Sequence, residues 1–375
     1  MKKLVRRAVL KVMFVMFLLG VVPVQAVTFT TPVTIAENDT AYDGLDIIVN
    51  GCVVTINGTH SFASLTIQNS GAVTQSQGVP MNLTISGDIA IEAGSTIDAS
   101  GRGHGQNSGI GAGSESGGGA GYGGEGGYSR HGAAGGATYG SMVTPVDLGS
   151  GGANSDYGNL PGGAGGGAIK LVVSGALTID GSISANGING GVSDYYDQSQ
   201  GGGGSGGSIL ITAGVLTGTG SITANGGSSL GSWSGIWAGG GSGGRIALHY
   251  TSGSFAGVLS AKGGTGANNG GAGTIYRKGS SDANGQLLIS NGGIVAGWTP
   301  ISNYTPYDAV ISDGAVVYTP SPVTLSGLAI NAGGIISHKD VAETGVNLTV
   351  LGNAVIDANA TIFTDGRGYR QQSGP

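Results

Sequence analysis

One segment of this sequence occurs twice. NLTISGDIAIEAGSTIDASGRGHG begins at Asn82, and the similar NLTVLGNAVIDANATIFTDGRGYR begins at Asn347, close to the last residue, Pro375. Repeated segments are typical of proteins in which similar units stack and share one hydrophobic core. The first copy leads into a glycine-rich stretch, and the second copy stops at that point. We therefore expect residues 286–375 to be the start of a second, truncated repeat module in a longer chain that continues into further repeats.

Within the apolar blocks, hydrophobic residues alternate with polar or small ones. The same parity holds across 82–98 and again across 168–184. Such alternation predicts short β-strands with one buried face and one exposed face. We expect the following side chains to point into the core: Ile85, Ile89, Ile91, Ile97, Leu171, Val173, Leu177, Ile179, Ile183 and Ile222.

Three apolar blocks also resemble one another. GALTIDGSISANG from Gly175 is similar to GVLTGTGSITANG from Gly214, and GSFAGVLSAKG from Gly253 is a looser relative. Self-similar units predict parallel strands, each paired in register with its counterpart in the next unit. The expected fold is all-β: a right-handed parallel β-helix (β-solenoid) with long glycine-rich loops. The alternative is an antiparallel sandwich, although a sandwich does not require such similar units.

Glycine accounts for 80 of the 375 residues, and its distribution divides the chain. We predict N-terminal β-solenoid coils in 27–100, a glycine-rich insertion in 101–167, and further coils with glycine-rich loops in 168–285. Glycine loses the most backbone entropy when it becomes ordered, so mobile surface loops are the favoured interpretation of these blocks. The alternative is that extended glycine segments pack side by side through Cα–H···O contacts.

Residues 1–26 have the features of a secretory signal peptide. Five basic residues accompany an apolar run, and Ala26 supplies a small residue for cleavage. The run is short for a transmembrane segment, so we expect its removal and no membrane span after signal cleavage. The protein is therefore expected to be secreted, and to be extracellular or attached to the cell surface.

Charge and cysteine content restrict the partners and the chemistry. The formal net charge is −6, and removal of the basic signal peptide makes the remainder more acidic. An acidic chain is unsuited to nucleic acid or to anionic membranes. Cys52 is the only cysteine, so no disulfide can form within the chain. We expect Cys52 to fill a small apolar core position.

Aromatic residues interrupt the glycine-rich blocks and are the candidates for ligand binding. Exposed aromatic rings contact proteins and stack on sugars, so extracellular glycans or surface proteins are the expected partners. The alternative is that these rings cover the flanks of the coils. The aromatic candidates are Tyr122, Tyr128, Tyr195, Tyr196, Trp233 and Trp237. Asp194 and Asp197 are the candidate metal ligands, with solvated loop charges as the alternative.

No coherent catalytic constellation is visible, and we expect neither a cofactor nor enzymatic activity. A β-helix that cleaves polysaccharides needs several carboxylates on adjacent coils. Asp98 and Asp180 follow similar apolar strand residues and are the candidates for that alternative. The histidines are scattered without the spacing of a metal site.

Four phrases carry a resemblance to a known class of protein. They are STIDASGRGHG from Ser95, YGSMVTPVDLGSGG from Tyr139, GGGAIKLVVSGALTIDGSISANG from Gly165, and GGSGGRIALHY from Gly240. The chain resembles, from about Thr55 onward, very large secreted bacterial proteins with adhesin-like, glycine-rich β-helical repeats. The resemblance implies an extracellular or cell-surface location and carries no catalytic residues.

The function expected from the sequence is therefore non-catalytic. We predict an adhesion or extracellular-matrix role, in which a β-solenoid rod displays glycine- and tyrosine-rich loops. One alternative is a carbohydrate-active β-helix enzyme, a polysaccharide lyase or hydrolase. The other is an inert spacer region of a larger surface protein.

Overall fold

The computed structural model of the chain describes residues 26–156, 160–192, 200–231, 235–304, 306–339 and 345–365. These residues form an all-β structure of short strands and irregular segments. In chain order the strands are β1 (Ala26–Phe29), β2 (Val33–Ile35), β3 (Asp46–Asn50), β4 (Val53–Ile56), β5 (Gly58–Phe62), β6 (Ser64–Gln68), β7 (Ala72–Thr74), β8 (Met81–Ile85), β9 (Ile89–Ile91), β10 (Thr96–Asp98), β11 (Ala168–Ile179), β12 (Ser182–Ser184), β13 (Ser208–Gly218), β14 (Ser221–Thr223), β15 (Arg245–Phe255), β16 (Val258–Ser260), β17 (Thr274–Gly279), β18 (Gly285–Ser290), β19 (Trp298–Pro300), β20 (Tyr307–Ser312), β21 (Val316–Tyr318), β22 (Val323–Leu325), β23 (Gly327–Ile330), β24 (Ile335–Ile336), β25 (Leu348–Val350), β26 (Ala354–Ile356) and β27 (Thr361–Ile362).

The strands lie in two large sheets and two small ones. Sheet 1 has the order β1-β3-β6-β9-β11-β13-β15-β17-β18-β20-β23-β26, and β8 pairs with both β5 and β11 beside this path. Sheet 2 has the order β16-β14-β12-β10-β7-β4-β2. The small sheets are β19-β21-β24-β27 and β22-β25. From β9 to β16 the chain alternates strand by strand between sheet 1 and sheet 2.

The similar sequence units pair in register, as the sequence predicts. Ile183 of β12 pairs in parallel with Ile97 of β10 on one side and with Ile222 of β14 on the other. Ile222 pairs in turn with Leu259 of β16. Register of this kind keeps residues of one parity on one face, so each strand extends the same core. All the side chains predicted to point inward are buried, and Cys52 also occupies the core.

Sheet 1 separates two hydrophobic cores. Ile211 and Leu248 belong to the core that sheet 1 shares with sheet 2, whereas Leu210 and Ala247 belong to a second core. Consecutive residues are therefore buried at the starts of β13 and β15, as expected for strands covered on both faces. Where the chain passes into the second core, β17 and β18 pair antiparallel, in contrast to the parallel pairs around them.

The two copies of the repeated segment fold in the same strand order. The first copy forms β8, β9 and β10, and the second forms β25, β26 and β27. Both β9 and β26 lie in sheet 1. Ile91 is 1% exposed and the corresponding Ile356 is 52% exposed. The difference arises because β9 lies between β6 and β11, while β26 pairs with β23 on one side in the described part of the chain.

Long parts of the glycine-rich blocks are buried, above all 117–127, 200–207 and 238–244, so the interpretation as surface loops is wrong for these segments. Extended segments lie side by side and exchange backbone N–H···O hydrogen bonds. The alternative of packed segments is correct, although the bonds are stronger than the Cα–H···O contacts expected. We call this structure the glycine array, and it comprises residues 101–113, 117–127, 133–137, 149–155, 161–167, 185–191, 200–207, 224–229, 238–244 and 261–273.

Hydrogen bonding in the array repeats every three residues. From Gly201 onward, successive amides of segment 200–207 donate in rotation to 185–191, to 149–155 and to 238–244. Three residues per turn without hydrogen bonds inside the segment is the pattern of polyproline II. Carbonyl groups of the same segment accept bonds from three further segments, so six neighbours surround it: 185–191, 149–155, 238–244, 117–127, 161–167 and 224–229.

This packing explains the composition of the blocks. A Cβ atom on Gly203 would overlap the carbonyl oxygen of Gly227, and one on Gly241 would overlap that of Gly204. The segments approach so closely because their backbones bond directly to each other. Glycine is therefore required at these contacts by lack of space, since neither Gly203 nor Gly241 has a positive φ.

The core assignment predicts a large difference between two adjacent substitutions in β13. Ile211→Asp places a carboxylate in the core and should lower the free energy of unfolding by about 4 kcal/mol or more. Thr212→Asp changes an exposed position on the same strand and should alter it by less than about 1 kcal/mol. Urea denaturation of both variants measures the effect. Equal stability of the two variants would contradict the assignment of inward and outward faces.

The array predicts that glycine-to-alanine substitutions differ sharply with position. Gly203→Ala should destabilise the protein by about 1–3 kcal/mol, because its methyl group has no space. At Gly105 the nearest atom to an added Cβ is Gln77 Nε2 at 3.5 Å, an ordinary contact. Gly105→Ala should therefore be neutral or stabilising by up to about 1 kcal/mol. Thermal unfolding of the pair is the measurement, and a stable Gly203→Ala variant would argue against close packing.

Candidate functional site

The glycine array joins the sheets at one end and carries loops at the other. Gly167, Gly207 and Gly244 immediately precede β11, β13 and β15. Seven residues of polyproline II span about 20 Å, so the loops lie about that far from the strands. We call this far end the tip. In the described part of the chain it includes residues 128–132, 229–231 and 235–237.

Aromatic and charged residues are organised at the tip around Trp237. The indole ring stacks on His131 with ring centroids 5.3 Å apart, and the Arg130 guanidinium lies 5.3 Å from the Trp237 centroid. The Trp237 amide donates to Oε1 of the buried Gln200 over 2.8 Å, and Gln200 Nε2 donates to the Gly235 carbonyl oxygen over 2.7 Å. The buried amide thus fixes the loop that presents the ring.

A cleft opens beside this cluster, and we call it the Tyr128 cleft. Its volume is about 320 Å³. Tyr128 is 49% exposed, and Trp298, at the start of β19, lines the same cleft. The Asn268 side-chain amide donates to the Tyr128 carbonyl oxygen over 3.0 Å. The lining residues are Glu125, Gly126, Gly127, Tyr128, Ala267, Asn268, Asn269, Val295, Ala296, Gly297 and Trp298.

An ion pair lies beneath the cleft. The Glu125 carboxylate contacts the ammonium group of Lys339, and the Glu125 amide donates to the Trp298 carbonyl oxygen over 2.8 Å. Burial by itself lowers the pKa of Lys339, but the hydrogen bond and the charge of Glu125 outweigh burial and raise that pKa. Lys339 also lies 5.8 Å from the Tyr318 ring centroid, and Trp298 packs edge-on against Tyr318. The pair therefore links the array to β19 and β21.

The aromatic residues predicted to bind a ligand differ in their exposure in the structure. Tyr128 is exposed in the cleft, and Trp237 is half-buried in the tip cluster. Tyr122 is fully buried, which corrects the expectation that its ring is available to a ligand. The remaining candidates lie outside the described residues: Tyr195, Tyr196, Trp233, Asp194 and Asp197.

Tyr122 has a structural role between the array and sheet 1. Its hydroxyl lies 2.5 Å from Ser208 Oγ at the start of β13. The guanidinium of the buried Arg245, at the start of β15, lies 5.5 Å from the Tyr122 ring centroid. Arg245 Nε donates to the Tyr139 carbonyl oxygen over 3.0 Å, and Nη1 donates to Thr274 Oγ1 over 3.1 Å. Burial raises the pKa of Tyr122 to about 12 and lowers the pKa of Arg245.

The carboxylates considered for catalysis accept hydrogen bonds from neighbouring strands. Asp98 Oδ1 accepts from Ser184 Oγ over 2.6 Å and from the Ser100 amide over 2.9 Å. Asp180 Oδ1 accepts from the Thr219 amide over 3.2 Å. Their geometry is that of side chains that stabilise the exposed surface of stacked strands.

Two further observations concern metals and membranes. Within the described ranges, no group of three or more His, Cys, Asp or Glu side chains is placed to hold a metal ion. The same ranges contain no helix with the length and apolar character needed to cross a bilayer.

Sequence reasoning missed Glu125, Trp298 and Lys339. A signal existed for Glu125, because it is a single charged residue inside the glycine run GGAGYGGEGG. Trp298 and Lys339 are distant from Glu125 in sequence, and only the tertiary fold brings Trp298 to the cleft and Lys339 to Glu125. No protein-family model, no curated protein and no solved structure matches this chain.

The buried Tyr122 predicts a loss of stability in alkali. Its pKa is 10.0 when unperturbed and about 12 in the folded protein, so its stabilisation is complete below pH 10. As the pH rises from 10 to 12 the unfolded state ionises first, and about 3 kcal/mol of stability should be lost. Burial also raises the pKa of Tyr139 and Tyr307. Tyr122→Phe should therefore make this part of the stability profile shallower by about the Tyr122 contribution, measured by urea denaturation at several pH values. Tyr128→Phe, at an exposed ring, is the control, and equal profiles for wild type and Tyr122→Phe would contradict the prediction.

Proposed function

We propose that this chain is a secreted, non-catalytic part of a cell-surface or matrix-adhesion protein. In this proposal a right-handed parallel β-solenoid carries the glycine array, and the tip of the array contacts extracellular glycans or surface proteins. The observation that carries the proposal is the ordered array with aromatic residues at its far end.

The solenoid part of the proposal is supported by the path of the chain. From β9 to β16 successive strands alternate between sheets 1 and 2. From β10 to β15, each of them pairs in parallel with the next strand of its own sheet. Parallel strands in one sheet are connected with right-handed crossovers in nearly all proteins. In a solenoid each coil contacts only the coils next to it, so further coils can be added without a change in those already present. This property suits a rod.

The binding part of the proposal is supported by the order of the tip. A mobile loop loses conformational entropy when it binds, whereas a preorganised loop does not. Gln200 fixes the loop at Trp237, and the hydrogen-bonded segments beneath it fix the base. Weak binding at each tip would be strengthened by avidity if several such units occur in one surface protein.

Export is supported by the sequence of the first residues and by the start of the fold. In β1, Val27 pairs with Ile47 and Phe29 pairs with Val49. Cleavage after Ala26 would therefore leave the core-facing part of β1 intact. The net charge of the whole chain is −6 and becomes more acidic when the basic signal peptide is removed, which suits an extracellular protein that avoids nucleic acid and anionic lipid.

The proposal predicts saturable binding by the secreted protein that depends on the tip. Binding to immobilised extracellular glycans and surface proteins is measured by biolayer interferometry, with the protein displayed at high density for avidity. Trp237→Ala should reduce the response several-fold. Tyr42→Ala, which removes a half-buried ring that packs on Phe29 instead, is the matched control.

The same preparation distinguishes the alternatives. Turnover of a polysaccharide, abolished by Asp98→Asn or Asp180→Asn, would replace the proposal with the enzyme. Absence of both turnover and binding would leave a spacer as the function.

A further inference from the structure

We propose that the Tyr128 cleft is a subsite for an uncharged sugar residue of a glycan. This inference rests on the proposed binding function and names the ligand class of one part of the tip. It is carried by the shape of the cleft, by its two aromatic residues, and by a carboxylate whose charge is balanced.

The aromatic residues supply the apolar part of the site. Tyr128 and Trp298 line the same cleft from different parts of the chain, and the Tyr128 ring is 49% exposed. One face of a sugar ring carries C–H groups, and an aromatic face packs against them while the hydroxyl groups remain at the edge. A ligand that is apolar throughout would leave the polar groups of the cleft unsatisfied.

The polar groups supply acceptors and donors for hydroxyls. The Glu125 carboxylate lines the cleft, and a carboxylate has about four acceptor positions, of which the Lys339 contact occupies part. Asn268 and Asn269 add side-chain amides to the lining, and their Nδ2 atoms donate to the carbonyl oxygens of Tyr128 and Val295 respectively. Oδ1 of Asn269 also accepts from the Gly266 amide over 3.1 Å. Fixed acceptors and donors of this kind orient a polyhydroxylated ligand.

The charge balance selects against ionic sugars. Glu125 lines the cleft, whereas its partner Lys339 is not among the lining residues, and the chain carries a net charge of −6. A uronate or sulfated sugar would approach Glu125 with a repelling charge. A cationic sugar would compete with Lys339 for the same carboxylate. An uncharged sugar incurs neither cost.

The volume limits the size of the bound unit. About 320 Å³ is at the low end of the range for ligand pockets. The cleft is therefore suited to one or two sugar rings, with the remainder of a glycan in solvent or against the tip cluster. Affinity for a single sugar is expected in the millimolar range.

The test uses the secreted protein and a panel of methyl glycosides that includes neutral, anionic and cationic sugars. Saturation-transfer NMR detects the contact, and titration gives the dissociation constant. We expect a neutral glycoside to bind, and Tyr128→Ala to weaken it by about tenfold. The Tyr128 backbone carbonyl, which Asn268 binds, is retained in this variant. Tyr304→Ala is the matched control, because Tyr304 is 45% exposed and lies outside the cleft.

The outcomes distinguish the sugar subsite from the more general binding function of the tip. Binding of a neutral glycoside that is lost in Tyr128→Ala and kept in Tyr304→Ala supports the subsite. Preference for an anionic or cationic glycoside, equal binding by both variants, or no binding of any glycoside overturns it. If the protein still adheres to a surface protein through Trp237 in that last case, the subsite fails while the binding function stands. A second variant, Glu125→Gln, should weaken binding without abolishing the aromatic contact.

Discussion

The backbone hydrogen bond between residues without a Cβ atom determines most of this structure. Where two extended segments bond directly in the array, a methyl group on either would overlap a carbonyl oxygen, as at Gly203 and Gly227. The same closeness satisfies amide and carbonyl groups that are buried away from water, which is the condition for burying so much main chain. Each bond contributes modestly, about 1 kcal/mol, and the ordering of glycine costs more per residue than that of any other. The array is therefore stable only as a large cooperative unit, in which a typical segment bonds to several neighbours at once.

The sheets provide the register that such a unit needs. Each block of the array lies between a strand of sheet 2 and the next strand of sheet 1: 101–167 between β10 and β11, 185–207 between β12 and β13, and 224–244 between β14 and β15. Because the flanking strands pair in register, both ends of every block are placed relative to the next block. Gly187 consequently donates to Asn225, and Gly226 to Lys262, at equivalent positions of successive units. Tyr122 and Arg245 reinforce the same junction from the side of the array.

The sequence predicts the strands well, because hydrophobic residues alternate with polar or small ones wherever one face of a strand is buried. Ile97, Ile183 and Ile222 are each flanked by small or polar residues, and each points into the core. The sequence predicted the array only as the alternative to mobile loops, because its order comes from contacts between segments far apart in sequence, while the local preference of glycine is for disorder. Tyr122 was misplaced for the same reason, since no local pattern distinguishes a buried tyrosine in a glycine run from an exposed one. Of the cleft, Tyr128 was a candidate from the sequence, whereas Glu125 and Trp298 meet only through tertiary packing.

The division between array and tip separates the packed main chain from the exposed rings and charges. Inside the array a side chain larger than hydrogen is excluded at most contacts between segments, so little chemistry can be placed there without loss of stability. At the tip the chain leaves the glycine array, and large side chains such as those of Trp237, Arg130 and Tyr128 fit without overlap with neighbouring main chain. The positions of these side chains are still restrained, because each loop begins and ends in a residue that is hydrogen-bonded to the array. A surface built in this way combines the order of a folded core with the chemical freedom of loops, and this combination is our reason for proposing recognition at the tip.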